Sequence, residues 1–177
     1  SKYSRIILLR IGSQKDLTTK EFFTGIINIT NELKNLNFSK CVMPVNQFVN
    51  KLISEYAATQ YLVRAIIDKS YIINSLKTQN KFKLANFQIY LHVDKRSIKK
   101  IQLGLKHGLA IAEGVSLSKD LGNLPPNICT PTFLANTAKK LGRENKMRVT
   151  VLNQKQIEKL KMGSFLSVAK GSRQPPK

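Results

Sequence analysis

Short apolar runs alternate along this chain with longer stretches of helical periodicity. Arg5 to Ile11 is rich in Ile and Leu and is closed by Gly12-Ser13, which predicts a buried strand. A helix should follow, capped by Thr18 or Thr19 ahead of Glu21 and carrying Phe22, Ile26, Ile29, Leu33 and Leu36 at helical spacing up to Asn37. Cys41 to Val45 predicts a second strand, with Pro44 confining it to an edge or ending it. From Lys51 to about Leu76 there is no Pro or Gly. Leu52, Tyr56, Ala57, Gln60, Val63, Ile67 and Ile73 fall near one stripe, so a second helix is expected there. Thr78 to Lys83 is polar and basic and predicts a loop, and Asn86 to Val93 alternates as a third strand should. This order implies right-handed crossovers and an α/β fold: a mainly parallel or mixed sheet flanked by helices.

A third helix is expected from Asp94 or Lys95 to Leu121, with Ile98, Ile101, Leu105, Leu109, Ala112 and Val115 on an apolar band. Gly104, Gly108 and Ala112 repeat every fourth residue and form a smooth stripe that lets another backbone come close. Gly122-Asn123 and Pro125-Pro126 end this helix. The punctuation predicts a partial amino-terminal domain over 1–94, an interdomain helix over 95–122 and the start of a second α/β domain over 123–177. In that last part a helix should open at Thr130-Pro131 and run to Gly142. Met147 to Leu152 then predicts a strand, Gln154 to Lys161 a short helix, Ser164 to Ala169 a strand, and Gly171 to Lys177 a turn or tail. Two strands and two short helices are too little to close a core unaided, so a partner surface is expected.

Composition narrows the function classes. With 42% apolar and 23% charged residues the balance is that of a globular protein. No run approaches 18 apolar residues and no leader pattern opens the chain, so neither a membrane span nor a signal peptide is expected and the compartment should be the cytoplasm. Cys41 and Cys129 stand alone and are expected to be reduced thiols packed as small apolar groups. The unusual figure is a formal charge of +20, from 30 basic and 10 acidic residues. Such a charge attracts polyanions, which makes DNA a candidate partner, with Lys95, Arg96, Lys99 and Lys100 as the candidate nucleic-acid contact. Lys155, Lys159 and Lys161 form another dense group. Against a dedicated surface, lysines outnumber arginines 23 to 7 and lie along the whole chain, as solvated faces do.

Catalytic chemistry is hard to place. The ten acidic residues are Asp16, Glu21, Glu32, Glu55, Asp68, Asp94, Glu113, Asp120, Glu144 and Glu158, and no two are closer than five positions apart. D-x-D, E-x-x-E and H-E-x-x-H are therefore absent. His92 and His107 have no carboxylate at an orienting distance in sequence, and there is no G-x-S-x-G, G-x-G-x-x-G or P-loop. Tyr56, Tyr61, Tyr71 and Tyr90 sit in apolar patterns, expected of core or partly buried tyrosines and not of a base-stacking platform. No catalytic residue, metal ligand or bound cofactor is assigned to this chain.

The stretch beginning at Gly104 is more informative. It contains Lys119-Asp120-Leu121, then Asn123 to Asn127 reading N-x-P-P-N, then Thr130-Pro131. Leu160 to Gly171 reads L-x-M-G-x-x-L-x-V-x-x-G, and Gln174-Pro175-Pro176 follows. Together these resemble the segment joining the two domains of the leucyl (cytosol) aminopeptidase family. Arg5 to Gly12 and Leu76 to Asn80 are similar to parts of its amino-terminal domain. The resemblance implies a cytoplasmic, homohexameric exopeptidase. It further implies two divalent ions, zinc, manganese or magnesium, that would activate a bridging water against the first peptide bond of a peptide substrate. Its ligands lie in G-K-G-x-x-x-D-S-G-G and N-T-D-A-E-G-R motifs, and neither occurs here. On this reading the chain is the amino-terminal and interdomain portion of such an enzyme, a fragment or the product of a decayed gene. It is inactive alone and serves folding or assembly with the remainder of the aminopeptidase. Some bacterial members of the family also bind DNA, which keeps a basic DNA-binding module as the second reading.

Overall fold

The computed structural model describes residues 6–10, 12–13, 15–35, 40–73 and 88–177. The expected loop at Thr78 to Lys83, and Leu36, lie outside the described residues.

Helix α1 spans Thr19–Asn35. Its start is fixed by reciprocal bonds: the Glu21 N–H donates to Thr18 Oγ1 (3.3 Å), and Glu21 Oε2 accepts from the Thr18 N–H (2.9 Å) and hydroxyl (2.7 Å). The Thr18 backbone and side-chain hydrogen bonds hold the Glu21 carboxyl below its ordinary pKa. Phe22, Ile26 and Leu33 are buried on one face, as the periodicity predicts. Thr30 joins them, its hydroxyl donating to the Ile26 carbonyl at 2.7 Å, so this buried polar group is satisfied.

Strand β1 (Lys40–Pro44) pairs in parallel with β2 (Gln88–His92), with Lys40 opposite Gln88 and Pro44 opposite His92. Pro44 ends β1, and a 3-10 turn over Val45–Phe48 carries the chain away. Helix α2 (Glu55–Ser70) lies between the strands in sequence, so the strand-helix-strand order of the expected α/β fold is present. It begins later than its lack of Pro and Gly predicts. Asn50 Oδ1 accepts from the N–H groups of Leu52 and Ile53, both at 2.8 Å, and holds that segment in a turn until Ser54 caps the helix. Leu52 is therefore outside the helix and exposed. The buried face is Ala58, Thr59, Leu62, Val63 and Ala65, rotated from the predicted stripe.

The strand expected at Arg5 to Ile11 is not found among its described residues. Residues 6–10 form no strand, and Ile6 and Leu8 are 77% and 91% exposed. An apolar run gains little from an extended conformation without a neighbouring sheet edge to pair its backbone, and among the described residues the sheet has two strands, β1 and β2.

After a 3-10 turn at Lys95–Ser97, helix α3 runs over Ile98–Asn123. Its buried residues are Ile101, Gly104, Gly108 and Ala112. The small-residue stripe thus makes the close contact, and the flanking Ile98, Leu105, Leu109 and Val115 of the predicted band are left exposed. A Cβ on Gly104 would lie 2.5 Å from the Tyr56 carbonyl oxygen, and one on Gly108 would lie 3.1 Å from that of Gln60. The core of this part gathers Leu17, Phe22, Ile26, Leu33, Met43, Val45, Phe48, Ile53, Leu62 and Ile101.

The chain divides into two compact units, Ser1–Lys119 and Asp120–Lys177. In the second, α4 (Pro131–Glu144) starts as expected: Thr130 Oγ1 accepts from the Phe133 N–H at 3.2 Å and proline occupies the first turn. It ends with Lys146 at φ 56° and the Met147 N–H on the Gly142 carbonyl at 2.8 Å. Helix α5 (Gln154–Lys159) closes the same way, with Lys161 at φ 55° and the Met162 N–H on the Ile157 carbonyl. The predicted strand from Met147 to Leu152 is irregular chain instead, folded back so that Val149 Cγ2 would stand 2.6 Å from a Cβ on Gly142. The predicted strand at Ser164 to Ala169 is helix α6 (Gly163–Ala169). A run this short has no length over which period two and period 3.6 separate, and no strand of this unit offers a pairing edge.

Candidate functional site

The four basic residues singled out in the sequence share one surface segment. Lys95 and Arg96 stand on the 3-10 turn, Lys99 and Lys100 on the first turn of α3, and all four are exposed. Lys100 is partly engaged, its ammonium 3.5 Å from Glu55 Oε2. Glu55 also accepts from the Ser97 hydroxyl at 3.1 Å. Its own backbone N–H, then Ser97, then the charge of Lys100 hold the Glu55 carboxyl below its ordinary pKa. The first turn of α3 carries no acidic residue. In the second unit Lys155, Lys159 and Lys161 are likewise exposed.

His92 is exposed at the end of β2. His107 has a partner that sequence spacing does not reveal: its Nδ1 lies 2.9 Å from the Tyr56 hydroxyl, which also accepts from Gln60 Nε2 at 3.2 Å, and the two rings meet edge to face. This is a tie between α2 and α3. A second tie joins Lys119 to the Asp68 carboxylate, with the ammonium 5.1 Å from the Tyr71 ring centre. Tyr61 is half-buried against Phe23, whereas Tyr90 is exposed, contrary to its expected placement, because alternate residues of β2 face solvent. Cys41 and Cys129 are free and half-buried, and burial raises the Cys41 thiol pKa.

The paired-ion chemistry implied by the sequence resemblance requires several ligands at one point. All ten carboxylates, both histidines and both cysteines fall within the described residues, and there no three of them converge on a common position. The described residues do not fit a two-ion centre. Among the described residues no helix is long and apolar enough to cross a membrane.

Comparison with known proteins gives a consistent result. The profile of the cytosol aminopeptidase family, catalytic domain, matches residues 116–177. A probable cytosol aminopeptidase of Pseudomonas fluorescens (strain Pf0-1) is 37% identical over 177 residues, 99% of this chain and 36% of its own length. The cytosol aminopeptidase of Pseudomonas aeruginosa PAO1 is 35% identical over the same share of each. Among solved structures, the bottromycin maturation enzyme BotP in complex with Mn aligns with a TM-score of 0.74 at 16% identity, covering 94% of this chain and 34% of that one, a likeness of fold. The chain thus spans about a third of the length of the curated relatives it matches. From its motifs, its α/β architecture and alignments that cover 99% of its residues at 35–37% identity, this chain belongs to the cytosol aminopeptidase family.

Proposed function

We infer that these 177 residues are a portion of a cytoplasmic, metal-dependent aminopeptidase that removes amino-terminal residues from peptides. The portion is inert by itself and serves folding and assembly of the whole, a homohexamer with manganese or zinc held by the remainder of the enzyme. The observation that carries this reading is the 37% identity across the full chain to a relative nearly three times as long. The dispersed carboxylates and histidines support the inertness. The second unit supports the assembly role, since Phe133, Leu134, Leu160, Met162, Phe165 and Val168 are all exposed on it, as on a surface that further protein covers. Incubating the 177-residue chain with leucine amide and manganese or zinc should release no leucine above the buffer blank. Metal-dependent release by this chain alone would overturn the inert role.

One observation favours a second reading, DNA binding: the exposed cluster of Lys95, Arg96 and Lys99 on a chain of charge +20. If this segment contacts phosphates, titration with duplex DNA at several salt concentrations gives a steep negative slope of log affinity on log salt. Replacing the four basic residues by alanine should then flatten the slope by about 3, at close to one unit per phosphate contact, Lys100 contributing least because Glu55 holds it. A slope indifferent to those four residues removes this reading.

A further inference from the structure

We propose that Lys119 is a releasable ionic latch that holds the carboxyl-terminal turns of α3 on the end of α2. The last buried residue of α3 is Ala112. Beyond it the helix continues for roughly 10 Å, at 1.5 Å per residue, before reaching Lys119. Over that interval Glu113, Gly114, Val115 and Ser118 are exposed, and Ser116 and Leu117 are only half-buried. Apolar burial therefore does not hold this stretch as it holds Ile101 to Ala112. Lys119 meets the Asp68 carboxylate and the Tyr71 ring, one on the last turns of α2 and one at its cap. The end of α2 is itself incompletely satisfied, since the buried Ser70 hydroxyl has no hydrogen-bond partner among the described residues.

Lys119 and Asp68 side chains are 36% and 38% exposed, so water and salt reach the pair, and it opens at small cost compared with core packing. Lys119 is also the last residue of the first compact unit. Lys119, the first residue of the lysine-aspartate-leucine run at 119–121, thereby acquires a mechanical role. It sets how far along α3 the helix stays attached to α2.

Amide hydrogen exchange on the 177-residue chain tests this. Lys119→Met keeps the aliphatic stem and removes the charge. It should speed exchange of amides 115–121 by about three- to tenfold, with no change at Leu62 or from Ile101 to Gly108. Asp68→Asn should do the same, the double variant should add nothing further, and Lys119→Arg should retain most of the protection. One molar salt should loosen the wild-type segment and leave Lys119→Met unaffected. Uniform acceleration across the first unit, no acceleration, additive single effects, or Lys119→Arg behaving as Lys119→Met would each overturn the latch.

Discussion

Alanine at Gly104 is expected to destabilise the first unit by about 1–3 kcal/mol, whereas alanine at Gly114 in the same helix should stabilise it by about 0.5–1 kcal/mol. Both substitutions raise helix propensity equally, so the difference isolates packing. At Gly104 the new Cβ would fall 2.5 Å from the Tyr56 carbonyl oxygen and 3.1 Å from Thr59 Cβ. The first of these is backbone inside a helix and cannot rotate away, so α2 and α3 must separate. At Gly114 nothing among the described residues lies within 4 Å of the new Cβ. Gly108→Ala belongs between them, because its nearest atoms stand at 3.1 Å and a shift of a few tenths of an ångström relieves the contact. Valine at Gly104, branching at the same carbon, should cost more than alanine, about 3–5 kcal/mol. Separation of the helices would also lengthen the 2.9 Å contact between Tyr56 and His107, which gives a second signal in the histidine resonances. Urea unfolding of the four variants decides the matter. Equal effects at Gly104 and Gly114 would mean that the glycine stripe is a matter of propensity and not of close approach.

That stripe is legible in the amino-acid sequence because four-residue spacing of glycines on an apolar helix has one economical meaning. The starts of α1 and α4 are legible for a similar reason: Thr18 with Glu21 and Thr130 with Pro131 are local signals whose partners lie three residues away or fewer. Pairing of β1 with β2 follows from two short apolar runs separated by a long helix. The failures share a different cause. Arg5 to Ile11 and Ser164 to Ala169 resemble strands on apolar content alone, but a strand exists only if a neighbour supplies an edge, and no local pattern encodes that neighbour. Leu105 and Leu109 have the spacing of core residues, but the closeness that Gly104 and Gly108 permit turns the contact onto the glycines and leaves the leucines at its margin. Of the candidate site, sequence spacing excludes only local ligand motifs, since the carboxylates stand at least five positions apart. What sequence spacing does not reveal are the long-range ties, Tyr56 with His107 and Asp68 with Lys119, each joining positions 51 residues apart. The lysine-aspartate-leucine run marks Lys119 as notable, yet nothing in it names Asp68 as the partner.

Phe22→Ala should cost the first unit about 3–5 kcal/mol, the largest single effect expected of a side-chain truncation here. Phe22 is fully buried on α1, and its ring centre lies 5.0 Å from that of Phe48 at an interplanar angle of 58°. Truncation removes the burial of a whole ring, opens a cavity between α1 and the turn that follows β1, and ends an aromatic contact worth about 0.5–1.5 kcal/mol. Phe48→Leu separates these contributions, since it keeps most of the volume and loses the ring pair, and about 1–1.5 kcal/mol is expected for it. The informative control is Phe165→Ala on α6. That side chain is 46% exposed, and its truncation in the 177-residue chain should change stability by less than about 0.5 kcal/mol. Small domains carry only about 5–15 kcal/mol in total, so Phe22→Ala should leave a substantial unfolded population in mild urea while Phe165→Ala does not. Comparable losses at the two sites would contradict the burial difference on which the core is drawn. A Phe165→Ala penalty that is negligible here and rises to about 2 kcal/mol or more in a longer aminopeptidase carrying this segment would show that this phenylalanine awaits a covering surface, because the same truncation costs stability only where the ring has been taken out of water.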